Sequence, residues 1–138
     1  MGNSKSNLSK RNINDKISLS ITIIKETKAE TFQLIATDRK VIGDAKFTYF
    51  KVDSSTKNLI EKNYSFCITV FNLKTKKSSK YYFNEGYKFN ERSYSIKYNI
   101  INKKNFIDYS IKDYPFLKLR HNKYFEPVLI IFDENALK

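Results

Sequence analysis

Strict alternation of apolar and polar residues at Ile17–Ile23 is the feature that most limits the folds open to this chain. In KISLSITII, isoleucine or leucine occupies every second position, with serine or threonine between. A period of two is typical of a half-buried β-strand, whereas a helical stripe repeats every 3.6 residues. We therefore predict that ordered structure begins here, behind a flexible basic N-terminal arm over residues 1–16.

Further runs predict more strands and one short helix. ETFQLIATD and VIGDAKFTYFKV alternate in the same way, and Asp38-Arg39-Lys40 between them is expected to form a tight turn. SSTKNLIEKN breaks the alternation behind candidate N-cap serines, which favours a short helix. YSFCITVFNL predicts a central strand, SYSIKYNII another strand, and EPVLIIFDE a last buried strand. NFIDYSIKDYPF fits either a short helix ending before Pro115 or an irregular strand.

Length and composition predict one folded domain over residues 17–138. The chain has 138 residues, of which 41% are hydrophobic and 15% aromatic, enough to bury a core without disulfides or metals. No apolar run is long enough to span a membrane, and the N-terminus lacks a hydrophobic signal core. The only cysteine, Cys67, lies in an apolar run and is expected to be a core residue. We expect an intracellular protein, nuclear or cytoplasmic, with an all-β core.

Charge and aromatic residues are concentrated in one part of the chain. The net charge is +12, which favours nucleic acid, anionic lipid or an acidic protein as a partner. The segment Lys74–Lys104 has nine basic residues, two acidic residues and seven rings. Lysines attract phosphates and exposed rings stack on unpaired bases, so the combination indicates single-stranded nucleic acid. Tyr81, Tyr82 and Phe83 cannot all face one core, because neighbouring strand residues point in opposite directions.

Two segments carry a resemblance to a known family. FQLIATDRKVIGDAKF, and LIEKNYSF followed by KTKKSSKYYF, resemble parts of the single-strand-binding OB-fold domains of the replication protein A and telomere-end-protection type. The resemblance covers about Phe32 to Tyr98. It implies a small OB-like barrel with one short helix, here followed by a C-terminal extension. It also implies a non-catalytic protein that binds single-stranded DNA or RNA.

The resemblance also implies which residues contact the ligand. Phe47 matches a base-stacking ring of the third strand, and Tyr82 or Phe83 matches a second ring in the fourth loop. Phe47 is equally compatible with a core position, because it alternates with Ala45 and Tyr49. The lysines expected to contact phosphates are Lys40, Lys46, Lys76, Lys77 and Lys80.

The N-terminus supports an alternative function. MGNSKS fits the N-myristoylation pattern at Gly2, and basic residues follow it. One acyl chain binds membranes only marginally, and a basic cluster is the kind of second signal that stabilises anchoring. The alternative is an N-myristoylated peripheral membrane or scaffolding protein on the cytoplasmic face, with a pleckstrin-homology-like or C2-like domain. A third possibility is a basic subunit of a larger complex.

Nothing in the sequence predicts catalysis. His121 is the only histidine and is expected to lie in a solvated loop, without cysteines or carboxylates at metal-ligand spacing. Carboxylates are scattered singly, and no glycine-rich phosphate loop is present. We therefore predict no catalytic residue, no metal and no cofactor.

Overall fold

A computed structural model describes residues 16–61, 65–83, 98–124 and 126–137. In this part of the chain ten strands and one α-helix follow one another, and a single-turn 3-10 helix closes the described region. The elements are β1 (Ile17–Ile24), β2 (Ala29–Leu34), β3 (Ala36–Ile42), β4 (Ala45–Lys51), α1 (Ser54–Glu61), β5 (Ser65–Asn72), β6 (Ser78–Phe83), β7 (Tyr98–Asn102), β8 (Phe106–Ile111), β9 (Leu117–Asn122), β10 (Pro127–Asp133) and the 3-10 helix Glu134–Ala136.

The strands form two antiparallel sheets. The four-stranded sheet has the order β2-β1-β5-β6, and the six-stranded sheet has the order β3-β4-β10-β9-β8-β7. The chain passes from one sheet to the other at Ile35, whose carbonyl accepts a hydrogen bond from the Lys51 N–H at 3.3 Å. The predicted all-β class with one short helix is confirmed. Among the described strands, no ladder closes the two sheets into the predicted barrel.

The two sheets share one hydrophobic core. The four apolar residues of β1 that alternate in sequence, from Ile17 to Ile23, are fully buried, which confirms the first predicted strand. β5 lies between β1 and β6 and buries Phe66 and Ile68, as expected of a central strand. β10 contributes Ile130 from the opposite sheet, which confirms the predicted last buried strand.

The predicted short helix is also confirmed. Asp53 precedes α1, and its Oδ1 accepts a hydrogen bond from the Thr56 N–H at 2.9 Å. This contact satisfies one of the backbone donors that a helix N-terminus leaves unpaired. The capping residue is therefore Asp53 rather than one of the serines, and Ile60 anchors the helix to the core.

Three local predictions need correction or completion. Asp38-Arg39-Lys40 lies within β3, and the turn is formed instead by Gly43, with φ +59°, and Asp44. Glycine adopts this left-handed conformation without a steric penalty, so the chain reverses there.

The segment NFIDYSIKDYPF, which fitted either a helix or a strand, forms the strand β8. The basic and aromatic segment that was expected to be a connection contains the strand β6. Residues 1–15, with Gly2, and 84–97 lie outside the described residues.

Candidate nucleic-acid interface

The turn between β5 and β6 presents lysines on a well-defined backbone. Asn72 closes it, because its N–H donates to the Lys77 carbonyl and its own carbonyl accepts from the Lys76 N–H, both at 2.8 Å. The Asn72 side-chain oxygen also accepts from the N–H groups of Lys74 and Thr75, at 3.0 and 3.2 Å. The buried Asn72 side chain therefore orders the turn while the three lysines remain exposed.

Lys76 has a backbone conformation that is unusual for its residue type. Its φ is +64°, in the left-handed region that costs a side chain with a Cβ roughly 1–2 kcal/mol. Glycine or asparagine is the common choice there. The turn thus retains a lysine where glycine would relieve steric strain.

An exposed ring lies on the adjoining strand. Tyr82 is 50% exposed, and Lys80 shares its side of β6 because the two residues are two positions apart. Among the residues that the structure describes, none pairs ionically with Lys80 or with the turn lysines. We call this group the β5–β6 patch. Its members are Lys74, Lys76, Lys77, Lys80 and Tyr82.

The outer face of the four-stranded sheet adjoins this patch and is mostly polar, with Ile24, Cys67 and Phe71 among its side chains. Thr22 and Thr31 hydroxyls lie 3.0 Å apart, and the Gln33 amide donates to the Ser18 hydroxyl at 2.5 Å. Strand register places Thr69 opposite Lys80 on the same face. Within the described parts of these four strands the outward positions include no carboxylate, so no negative side chain on this face offsets the lysines.

The predicted residues of β3 and β4 lie elsewhere. Lys40 pairs with Phe47 across the β3–β4 ladder, and both belong to the six-stranded sheet. Phe47 is half-buried on the outer face of that sheet, because it alternates with Thr48, which faces the core. The Lys40 ammonium lies 5.2 Å from the centre of the Tyr49 ring. Lys46 is exposed nearby. The predicted site residues therefore form two groups on opposite sides of the core.

Phe83 does not fit its predicted role. It is 2% exposed and stacks on Phe66, with ring centres 4.7 Å apart and planes 11° apart. Tyr81 is also buried and packs edge-on against Tyr114 and Phe116. Alternation along β6 directs the odd positions inward and Tyr82 outward. Of the three consecutive rings, only Tyr82 is available to a base, which agrees with the expectation that at least one of them is exposed.

A second exposed ring was missed in the sequence. Tyr124, in the β9–β10 turn, is 86% exposed. The Asn122 side chain accepts hydrogen bonds from the N–H groups of Tyr124 and Glu126, at 2.9 and 3.0 Å, and so shapes this turn. The neighbouring Lys123 donates to the side chain of Asn102, the last residue of β7, at 2.5 Å. The sequence could have indicated this exposure, because Lys123 and Tyr124 lie in a short connection between two strands and such connections lie on the surface.

His121 is a core residue rather than a loop residue. It lies on β9, fully buried, where it alternates with Leu117 and Leu119. Its ring packs edge-on against Tyr109, with centres 5.8 Å apart. Burial lowers the pKa of His121 to about 3, against a smaller opposing effect of a backbone hydrogen bond with Leu119. The imidazole is therefore neutral at physiological pH. Cys67 is buried, as predicted.

One partly buried cation on β9 has a structural partner. Arg120 forms two hydrogen bonds with the buried Asp108 carboxylate, at 2.8 and 3.1 Å. Its guanidinium also lies 3.7 Å from the centre of the Phe106 ring. A bidentate pair stacked on an aromatic ring orders the outer face of the six-stranded sheet. Arg120 is therefore unavailable as a phosphate contact.

The described residues contain neither a cluster suited to a metal ion nor a membrane-spanning helix. In the described residues no group of three or more His, Cys, Asp or Glu side chains could hold a metal ion. No helix in the described part of the chain is long and apolar enough to cross a membrane. The chain matches no family model, no curated protein and no solved structure.

Proposed function

We propose that this protein binds single-stranded nucleic acid, without catalysis, across the β5–β6 patch. The observation that carries the proposal is the half-exposed Tyr82 ring on the same strand face as Lys80, next to the lysine-bearing turn. A base can stack on the ring while the flanking phosphates approach the ammonium groups, since the two kinds of contact act on one flexible chain.

The exposed ring of the patch favours a single strand over a duplex. The patch lies on the outer face of β6 and on the five-residue turn, residues 73–77, that joins it to β5. The faces of paired bases are covered by their neighbours in a duplex, whereas a single strand offers them to Tyr82. Every base has such a face, so sequence preference is expected to be slight.

Oligonucleotide binding measured against salt tests this proposal. Fluorescence anisotropy with a labelled oligothymidylate is expected to give a slope of log K against log salt of about −3, from four lysines at about 0.7 each. Tyr82→Ala should weaken binding by about 5- to 150-fold at every salt concentration, the loss of one stacked base. The double variant Lys76→Gln/Lys77→Gln should make the slope shallower by about 1.4.

Matched substitutions at another turn provide the control. Lys103→Gln/Lys104→Gln removes the same charge from the exposed β7–β8 turn and should leave the affinity nearly unchanged. The proposal fails if Tyr82→Ala has no effect and the two double variants weaken binding equally. Such a result would mean that only the overall charge of the protein attracts the oligonucleotide.

A further inference from the structure

Two turns lie side by side at one end of the six-stranded sheet. β8 pairs with both β7 and β9, which brings Asn102 opposite Ile107 and Asn122 opposite Phe106. The hydrogen bond from Lys123 to Asn102, at 2.5 Å, spans the β8 strand and links the two turns. We call this region the two-turn end. It comprises the end of β7 from Ile100 to Asn102, residues 103–105 and residues 122–124.

Among the described residues, no carboxylate pairs with the lysines of the two-turn end. Lys103, Lys104 and Lys123 are exposed, and none pairs ionically with another described residue. Glu126, which follows the second turn, is already held by Lys57 at 3.0 Å and by the Asn122 amide at 2.9 Å. Three ammonium groups therefore lie at one end of the sheet, and that of Lys123 is hydrogen-bonded to Asn102.

Apolar surface accompanies these lysines. Ile100 and Ile101 are 43% and 39% exposed, and Tyr124 is 86% exposed. The two isoleucines are consecutive on β7, the last strand of the described six-stranded sheet, so they point to opposite faces of the sheet. The interface of a lipid bilayer can surround the end of a strand and contact side chains on both of its faces. Tyrosine is characteristic of that interface, where its ring contacts acyl chains and its hydroxyl contacts headgroups.

We propose that the two-turn end docks on an anionic lipid surface. The lysines would contact anionic headgroups, and Tyr124 with the two isoleucines would enter the boundary between headgroups and acyl chains. Nucleic acid would use the lysines and the tyrosine, but it offers no apolar medium for Ile100 and Ile101. The proposed binding is independent of nucleic-acid binding at the β5–β6 patch and does not require acylation of Gly2.

The opposite end of the same sheet is a natural comparison. Val41 and Ile42, at the tip of the β3–β4 hairpin, are 58% and 62% exposed, so they offer more apolar surface than the two isoleucines of β7. The charge around them is mixed, because Asp44 follows them in the turn, whereas Lys40 precedes Val41 and Lys46 pairs with it across the hairpin. If exposed aliphatic area alone governed membrane binding, substitutions in the hairpin would weaken binding more than substitutions of the two isoleucines of β7.

Vesicle sedimentation with the unacylated full chain tests the proposal. The wild type is expected to bind vesicles of phosphatidylcholine with phosphatidylserine, to lose binding at high salt, and not to bind phosphatidylcholine alone. Lys103→Gln/Lys104→Gln/Lys123→Gln should weaken binding about a hundredfold, at about fivefold for each lysine. The charge-matched variant Lys74→Gln/Lys76→Gln/Lys77→Gln should bind vesicles nearly as well as the wild type.

A second pair of variants tests the apolar contacts. Tyr124→Ala should weaken vesicle binding several-fold, and Val41→Ser/Ile42→Ser should not. All the changed side chains are exposed, so each variant should fold. Circular dichroism checks this. Equal losses in the two charge-matched variants, or no binding to phosphatidylserine vesicles, would overturn the proposal. It would also be overturned if the variant of the two-turn end lost oligonucleotide binding but kept vesicle binding.

Discussion

At the scale of single residues, the least expected feature is a histidine inside the core. The imidazole of His121 on β9 packs edge-on against the Tyr109 ring of β8, and burial lowers its pKa to about 3. In the unfolded chain the same group has a pKa of about 6.5. Between these two values the unfolded state binds a proton that the folded state does not. The contribution of His121 to stability is therefore complete above about pH 6.5 and is lost as the pH falls.

This difference predicts a specific acid sensitivity. The free energy of unfolding should fall by about 1.4 kcal/mol for each pH unit below about 6.5, or about 2 kcal/mol by pH 5. Urea denaturation at about pH 7 and about pH 5 measures this decrease. His121→Leu should abolish most of it, because leucine cannot be protonated. An unchanged pH dependence in that variant would show that other groups cause the acid sensitivity.

The backbone conformation of Lys76 predicts a substitution that stabilises the protein. Glycine at this position relieves the left-handed φ of +64°, although it also gives the unfolded chain more freedom. Lys76→Gly should raise the free energy of unfolding by about 0.5–1 kcal/mol, measured by chemical denaturation. Lys77→Gly removes the same charge at the next residue, where φ is not positive, and should be destabilising. If both variants were destabilised alike, the backbone of Lys76 would not be strained.

At the scale of elements, β6 shows how one strand serves both core and surface. Phe83 stacks on Phe66 inside, whereas its neighbour Tyr82 faces outward. Phe83→Ala should lower the free energy of unfolding by about 3–5 kcal/mol, because it leaves a cavity between the sheets. Tyr82→Ala should change it by no more than about 0.5 kcal/mol. Thermal or urea denaturation distinguishes the two.

This prediction matters for the functional test, because Tyr82→Ala is also the variant that should lose oligonucleotide affinity. A folded variant with weak binding would separate ligand contact from stability. If Tyr82→Ala were as unstable as Phe83→Ala, the ring would be part of the core and its proposed contact with bases would have to be abandoned.

At the scale of the whole molecule, the core separates the two groups of predicted site residues. Lys40, Lys46 and Phe47 belong to the six-stranded sheet, and the β5–β6 patch belongs to the other sheet. Because the two groups lie on different sheets, we expect a short oligonucleotide bound at the patch not to contact the first group. Lys40→Gln/Lys46→Gln should therefore change the affinity for a short oligothymidylate by no more than about twofold in the anisotropy assay, through long-range attraction alone. A tenfold loss would mean that one ligand contacts both groups.

Several features were predictable because they depend on local pattern. Alternation predicted β1, apolar runs predicted β5 and β10, and the loss of alternation in SSTKNLIEKN predicted α1. The burial of Cys67 and the exposure of at least one of three consecutive rings followed from the same reasoning. The prediction of a turn at Asp38–Lys40 was wrong. These polar residues belong to β3, where both faces of the strand are exposed and polar side chains are therefore tolerated. Tyr124 was overlooked since a polar connection has no periodicity to interpret.

The sequence by itself determined that the chain is built from strands, which residues of each strand share a face, and where lysines and rings are concentrated. The tertiary structure alone decided which of those faces are covered. It buried Phe83 and His121, left Tyr82 and Tyr124 exposed, and divided the predicted binding residues between two sheets. The reason is physical: alternation within a strand is a local property of the backbone, whereas burial depends on strands that are distant in sequence packing against it.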